Sequence, residues 1–522
     1  MFKKVLTGII ALWILVIPLM GNVLSQDEPT PEPAATELLT PASPSAEQTV
    51  PATPSPAISA PATSTEPPVA PADATRQQET VAAETADSPI DTGDTAFMLI
   101  CSALVLLMTP GLAFFYGGLV RSRNVLNTMM MSLLLMAVVG VTWTLWGYSL
   151  AFAPTSVIPG VNPGDAATVN ANPIIGSLNW FGLNNVAFDQ PDPVGYAPTI
   201  PHQVFMVYQM MFAIITPALI SGAIVERISF KAYFWFILLW STLIYSPLAH
   251  WVWGKGWLGA IGDLDFAGGT VVHISSGVSA VVAAWMIGPR KSFMVRPAAP
   301  HNVPYVLLGI GLLWFGWFGF NAGSALAAGG LATVAFVATM VSASAGGLTW
   351  LLWEWILRGK PTAIGIASGF LAGLVGITPA AGYVTPLGAL LIGSITAICC
   401  FYAVSLRAKW QFDDSLDTFP IHGVGGTVGA LLTGLFATKA VNAAGDNGLF
   451  FNNPSQLVEQ IIAIVATYVF AGVGTFVILK FLGSFMELRV KPVVEDQGVD
   501  INEHGEEGYG EEFGSGLSFT KE

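Results

Sequence analysis

From about residue 95 the chain alternates long apolar runs with short polar breaks. A helix that crosses the hydrocarbon core of a bilayer needs about 20 mostly apolar residues. Eleven runs reach that range: 95–119, 125–152, 202–225, 231–252, 270–288, 303–321, 331–356, 363–381, 384–405, 418–437 and 457–483. The pattern predicts an all-α polytopic membrane protein of eleven transmembrane helices.

Orientation follows from an independent signal, because Lys and Arg favour cytoplasmic loops. The odd-numbered breaks hold eleven of them, from Arg121 and Arg123 to Arg407 and Lys409, and the even-numbered breaks hold only Lys255 and Lys439. The N-terminus is therefore expected outside and the C-terminus in the cytoplasm. Eleven spans split as five, five and one, with the second five inverted relative to the first, a plan common among transporters. The fifth and tenth spans share a local pattern. His273 is followed by Gly277 and Ala280, and His422 by Gly426 and Gly429. Small residues one turn apart let helices approach closely.

The two ends differ from this core. Residues 1–25, "MFKKVLTGIIALWILVIPLMGNVLS", have the basic start, apolar middle and small-residue end of a secretory signal peptide. Residues 26–91 form a Pro/Ala/Thr-rich tract with too little apolar surface to fold, expected as a disordered arm outside the membrane. Residues 92–486 form the membrane domain and 487–522 an acidic cytoplasmic tail.

Composition agrees, with 10% charged residues against about 25% in soluble domains. The net charge of −14 belongs to the ends: residues 27–94 carry 12 acids and one Arg, and residues 487–522 carry 10 acids and 3 bases. The low isoelectric point therefore says nothing about substrate charge, and no nucleic-acid partner is implied. Three cysteines, two of them adjacent at Cys399 and Cys400, make neither a disulfide framework nor a zinc pattern. There is no phosphate-binding loop of an ATP-driven pump and no nucleophile constellation of an enzyme.

The chemistry lies in "FAGGTVVHISSGVSAVVAAW" (266–285) and "DTFPIHGVGGTVGALLTGLF" (417–436). Each puts one histidine at membrane depth, where an ionisable group is expensive and usually faces a pathway. A lone buried histidine is more often structural, but two at matching places in a repeat argue for function. Neutral imidazole donates at one nitrogen and accepts at the other, which suits a proton or a small polar solute. A metal site would need three or four ligands, and no further His, Cys or carboxylate stands at that depth. Asp265 is expected at a helix N-terminus as a capping carboxylate, and Asp417 is read as its repeat-related counterpart.

These motifs, with "FYGGLVRSRNVL" (115–126), "ERISF" (226–230), "GWFGFNAGSA" (316–325) and "GLVGITPAAGYV" (373–384), resemble the Amt/Mep/Rh ammonium transporter family, specifically its bacterial Amt branch. The resemblance runs from residue 92 to about 510. It implies a homotrimer in the cell membrane, each subunit with its own narrow pore and no cofactor. It implies an outer ammonium-binding site at Trp253, Ser324 and Tyr208, where family members often have Phe for the tyrosine. Phe212 and Phe320 match the family's stacked gate, Asp265 shapes the outer site, and His273 and His422 line the pore. Without the resemblance, Trp253 in "HWVWGKGW" reads as an interfacial anchor and the two phenylalanines as core. The implied function is transport: ammonium is captured, deprotonated and passed as ammonia, with the proton left behind or relayed separately. The alternative is an ammonium sensor acting through a cytoplasmic partner. In the tail, "GVDINEHGEEGY" resembles the segment that meets a PII-type signalling protein, which carries over to Gly498, Asp500, His504, Gly505 and Glu506, and to Tyr509.

Overall fold

The computed structural model describes residues 89–158, 168–293, 299–409 and 412–509. The expected signal peptide, the Pro-rich arm as far as residue 88 and residues 510–522 lie outside the described residues. What is described is a helical bundle with one small ribbon, β1 (Ser156–Ile158) paired antiparallel with β2 (Thr168–Asn170). The helices in chain order are α1 (Thr92–Leu119), α2 (Ser122–Phe152) and α3 (His202–Ile224), then α4, which runs from Phe230–Trp240 through a π turn into Ser246–Val252. They continue with α5 (Gly269–Ile287), α6 (Val303–Ala322), α7 (Gly330–Arg358), α8 (Ala363–Ile377), α9 (Pro386–Lys409), α10 (Phe419–Phe436) and α11 (Ser455–Leu482). Two short helices, α12 (Pro492–Gln497) and α13 (Val499–His504), end the described chain.

Every predicted run is helical, but not every run is long. Among the described residues ten helices have the length and composition to cross a membrane, whereas α8 has 15 residues. At 1.5 Å per residue it reaches about 22 Å, short of a core about 30 Å thick. The predicted span 363–381 overran it because the apolar residues after Ile377 fold into tight turns, with Ala380 N–H on Ile377 O and Tyr383 N–H on Ala380 O.

Close packing joins helices at corresponding places in the two halves. Between α1 and α6, a Cβ on Gly319 would stand 2.7 Å from Leu104 Cβ and 2.8 Å from Cys101 O. Between α5 and α10, a Cβ on Gly277 would run into the backbone of Gly423, and one on Gly426 would lie 3.0 Å from His273 Cβ. Each histidine's i+4 glycine thus lies against the other histidine's helix, as an approximate two-fold relation between halves requires. We expect Gly277→Val to force the helices apart at a cost of about 1–3 kcal/mol. The midpoint of thermal unfolding should fall with the elution volume unchanged, and a wild-type midpoint would contradict this packing role.

The end of the bundle carrying residues 487–509, the tail face, is laced by buried charges. Glu226 accepts from Arg121 Nε at 2.9 Å, Asn124 Nδ2 at 2.6 Å and Arg290 Nη1 at 2.6 Å. Arg290 also grips Asp413, with Nη2 2.7 Å from Oδ1. Burial alone would push the Glu226 carboxyl up, but Arg290 and Arg121 outweigh it and hold it at about 2. Burial brings the Arg227 guanidinium down to about 10, and it donates to Gly288 O, Asp413 O and Ser415 Oγ. The network ties together loops from both halves at one end of the bundle.

Candidate functional site

Both histidines sit in π turns, Gly269–Ile274 at the start of α5 and Phe419–Gly423 at the start of α10. Such turns are rare and gather at functional sites. The first is set by Asp265, whose carboxylate accepts four backbone N–H bonds: Gly268 at 2.8 Å, Gly269 at 2.6 Å, Thr270 at 2.8 Å and Val271 at 3.0 Å. Gly268 has φ 116°, which allows the chain to fold back under that carboxylate. The second turn is set by Asp414, which accepts from Thr418 N at 3.0 Å and Phe419 N at 2.7 Å. Asp414, not Asp417, is therefore the counterpart of Asp265. Each stands eight residues before its histidine, a spacing present in the sequence. Asp417 instead pairs with Arg407 Nε at 2.5 Å, at the mouth below.

The histidine rings face each other inside the bundle, 1% and 2% exposed. Their Nδ1 atoms are 3.2 Å apart and their centroids 5.2 Å, with the planes 25° from parallel. Two facing Nδ1 atoms at that distance share one proton, since one must donate and the other accept. His273 is stacked on Trp317 at 5.4 Å, and Trp317 is held by its Nε1–H on Thr378 Oγ1 at 3.0 Å. His273 Nε2 is buried without a hydrogen-bond partner among the described residues.

On one side of the pair, Phe320 lies 6.2 Å from the His273 ring, and Phe212 lies 4.2 Å from Phe320. Phe212 in turn closes a cavity of about 280 Å³ at the far face, opposite the tail face, with Trp253 and Ser324 also in its wall. Trp253 stands edge-on to Phe212 at 5.9 Å and is fixed by its Nε1–H on Asp265 O at 2.8 Å. On the other side, His422 lines a cavity of about 230 Å³ at the tail face, together with Tyr116, Ser415, Asp417 and Thr418. The order is cavity, Phe212, Phe320, His273, His422, cavity.

Of the three residues expected around an outer cation, Trp253 and Ser324 line the far-face cavity and Tyr208 does not. Tyr208 is fully buried behind Ser324, its hydroxyl on Gly319 O at 3.0 Å and Phe320 O at 2.8 Å and 3.3 Å from Ser324 Oγ. It braces the wall rather than forming it. Sequence reasoning missed Gln209, Phe205 and Tyr196, which do line the cavity. Phe205, Gln209 and Phe212 are spaced i, i+4, i+7, one face of α3, and a glutamine inside an apolar span was the available signal.

The tail is fastened to the tail face by its acids. The Asp500 carboxylate, 1% exposed, accepts from Leu126 N at 3.0 Å and Asn127 N at 2.8 Å near the start of α2. Val499 N donates to Asn124 Oδ1 at 3.0 Å, and Glu503 Oε2 accepts from Phe230 N at 2.9 Å. His504 Nε2 lies 3.0 Å from Asn127 Oδ1, and Tyr509 Oη lies 2.8 Å from His301 Nε2. Gly498 has φ 113°, and a Cβ there would stand 2.7 Å from Arg123 O. Gly505, also at positive φ, and Glu506 are exposed. Glu495, not singled out by sequence, is buried and pairs with Arg489 at 2.7 Å.

Residues 96–509 match the Ammonium Transporter Family. The chain belongs to that family. An ammonium transporter of Bacillus subtilis (strain 168) is 51% identical over 418 residues, 80% of this chain and 98% of that protein. The crystal structure of Saccharomyces cerevisiae Mep2 superposes with a TM-score of 0.70 at 36% identity, covering 77% of this chain and 88% of that one. A solved Sensor Amt Protein reaches a TM-score of 0.70 at 28% identity, covering 79% and 98%. The chain is accordingly a helical, multi-pass membrane protein of the ammonium transporter family, and the matched region contains both histidine turns and the tail to Tyr509.

Proposed function

We propose that this protein carries ammonium by capturing it in the far-face cavity, removing a proton at the Phe212–Phe320 pair and passing ammonia along His273 and His422. One observation supports the reading above others: a buried histidine pair, Nδ1 to Nδ1 at 3.2 Å, lies between two cavities with two closely packed phenylalanine rings above it. Desolvating a bare cation costs many kcal/mol, and potassium is close to ammonium in size. Only ammonium can shed a proton and cross as a neutral molecule, so an apolar constriction selects by chemistry rather than by width.

The pair is also suited to relaying the proton. If His273 Nδ1–H donates to His422 Nδ1, then His273 Nε2 is a bare acceptor and His422 Nε2 carries a hydrogen. A proton taken at the first Nε2 moves the shared hydrogen across and releases one from the second. The pair is left in the opposite tautomeric arrangement and must reset before the next passage.

The far face would be outside and the tail face cytoplasmic, as the Lys/Arg distribution indicates. The functional unit would be a homotrimer in the cell membrane, with a PII-type protein as partner at the tail face. The sensor reading rests on likeness to the Sensor Amt Protein at 28% identity, whereas the 51% identical relative is an ammonium transporter. The deciding experiment is current from proteoliposomes on a supported membrane after an ammonium jump, with potassium as control. An ammonium-specific current supports transport, and silence with intact ammonium binding would favour sensing.

Trp253→Leu should raise the half-saturating ammonium concentration, because it removes a ring worth up to about 2 kcal/mol to a partly desolvated cation. That corresponds to as much as about thirtyfold, with the saturating current less affected. A concentration–current curve identical to wild type would leave Trp253 as a packing residue only.

A further inference from the structure

We infer that Lys255 is a tethered competitor for the captured cation and sets how tightly the far-face cavity holds ammonium. The inference rests on the capture reading above. Lys255 Nζ lies 5.8 Å from the centroid of the Tyr196 ring, within the range over which a cation is drawn to an aromatic face. Tyr196 lines the capture cavity. Its orientation is fixed, since the ring is stacked on Phe205 at 5.3 Å and 7° and the hydroxyl donates to Phe152 O at 3.0 Å. A lysine head is chemically a substituted ammonium ion. It therefore draws on one of the aromatic rings that line the cavity, and its charge repels any cation arriving there.

The placement of Lys255 is built into the turn after Trp253. Its backbone has φ 63°, an uncommon conformation for a residue with a side chain. The turn is held by Gly254 N–H on His250 O at 3.0 Å and Gly256 N–H on His250 O at 2.9 Å. His250 itself is buried, with Nδ1 2.8 Å from Ala151 O. Lys255 is exposed and makes no ion pair among the described residues, unlike Lys439, which pairs with Asp446 at 2.7 Å. Lys255 lies two residues from Trp253. A site that binds its substrate less tightly also releases it forward more readily, so a built-in competitor shifts the working range to higher ammonium without touching the pore.

The test is the ammonium concentration–current curve of Lys255→Gln, Lys255→Glu and Lys255→Arg, each at low and high ionic strength. Lys255→Gln should lower the half-saturating concentration about two- to fivefold, the equivalent of roughly 0.5–1 kcal/mol for an exposed cation–π contact. Lys255→Glu should lower it further, and Lys255→Arg should stay near wild type. The differences should shrink as salt screens the rim charge, a dependence that a merely structural role would not produce. Unchanged half-saturation in both Gln and Glu variants overturns the inference, as does an equal shift in all three at every ionic strength. A wild type without current would strike the transport reading instead. Calorimetric titration of ammonium into the same variants would then still decide the role of Lys255.

Discussion

Replacing either His273 or His422 with alanine is expected to abolish the ammonium-specific current while leaving the protein folded. The expectation follows from the isolation of the pair. Each ring supplies the other's Nδ1 partner at 3.2 Å, so removing one strands a buried nitrogen as well as breaking the relay. An unsatisfied buried group costs about 1–3 kcal/mol, which the close-packed α5–α10 contact can absorb without unfolding. Loss of the relay has no such compensation, because His273 Nε2 already lacks a protein partner among the described residues. The vacated volume also gives water a route past the constriction, so potassium current should rise where wild type shows none. The measurement is solid-supported-membrane current with ammonium and potassium, beside thermal unfolding of the purified variants. Selective ammonium current in the double variant would remove the histidines from the mechanism.

Much of this site was legible because a membrane span makes polar residues conspicuous. His273 and His422 stood out against Gly, Ala and Val, and their surroundings matched between halves. What was not legible was direction. The hydropathic window of α3 is 89% buried, so no polar stripe reveals which of its residues face a cavity and which face a neighbour. Tyr208 was expected in the cage from the family resemblance alone, and the pattern gave no ground for choosing its neighbour Gln209, which lines the cavity. Asp417 was read as the counterpart of Asp265, whereas capping depends on reaching the free N–H groups of the π turn, which Asp414 does from further back. The length of α8 was misjudged for a related reason: apolar content continues past Ile377, while backbone hydrogen bonding changes to turns. In the tail, composition showed only an excess of acids. The partners of Asp500 are backbone N–H groups near the start of α2, hundreds of residues earlier, which no local pattern could announce.

Deleting residues 495–522 is expected to leave a folded membrane domain with several-fold lower ammonium flux and little capture of a PII-type protein. A chain of contacts leads from the tail to the pore. Val499 N–H is bonded to Asn124 Oδ1, and Asn124 Nδ2 to Glu226. Glu226 shares Arg290 with Asp413, and the neighbouring Asp414 caps the turn that holds His422. Removing the tail takes one anchor from this network and frees the backbone N–H groups of Leu126 and Asn127 that Asp500 now satisfies. The remaining ion pairs stay, so the fold should survive while the tail-face mouth loses a fixed shape. Asp500→Asn is the finer probe: it keeps the side chain's size and removes the charge from hydrogen bonds worth about 1.5–3 kcal/mol each. It should lower flux in the same direction as the deletion, by less. The exposed loops of the tail face would no longer present one rigid surface to a partner, and so PII retained in the presence of ADP should drop along with flux. Equal flux and equal capture in the full-length, truncated and Asp500→Asn proteins would show that the tail is a passive end and that the path from Val499 to His422 carries no coupling.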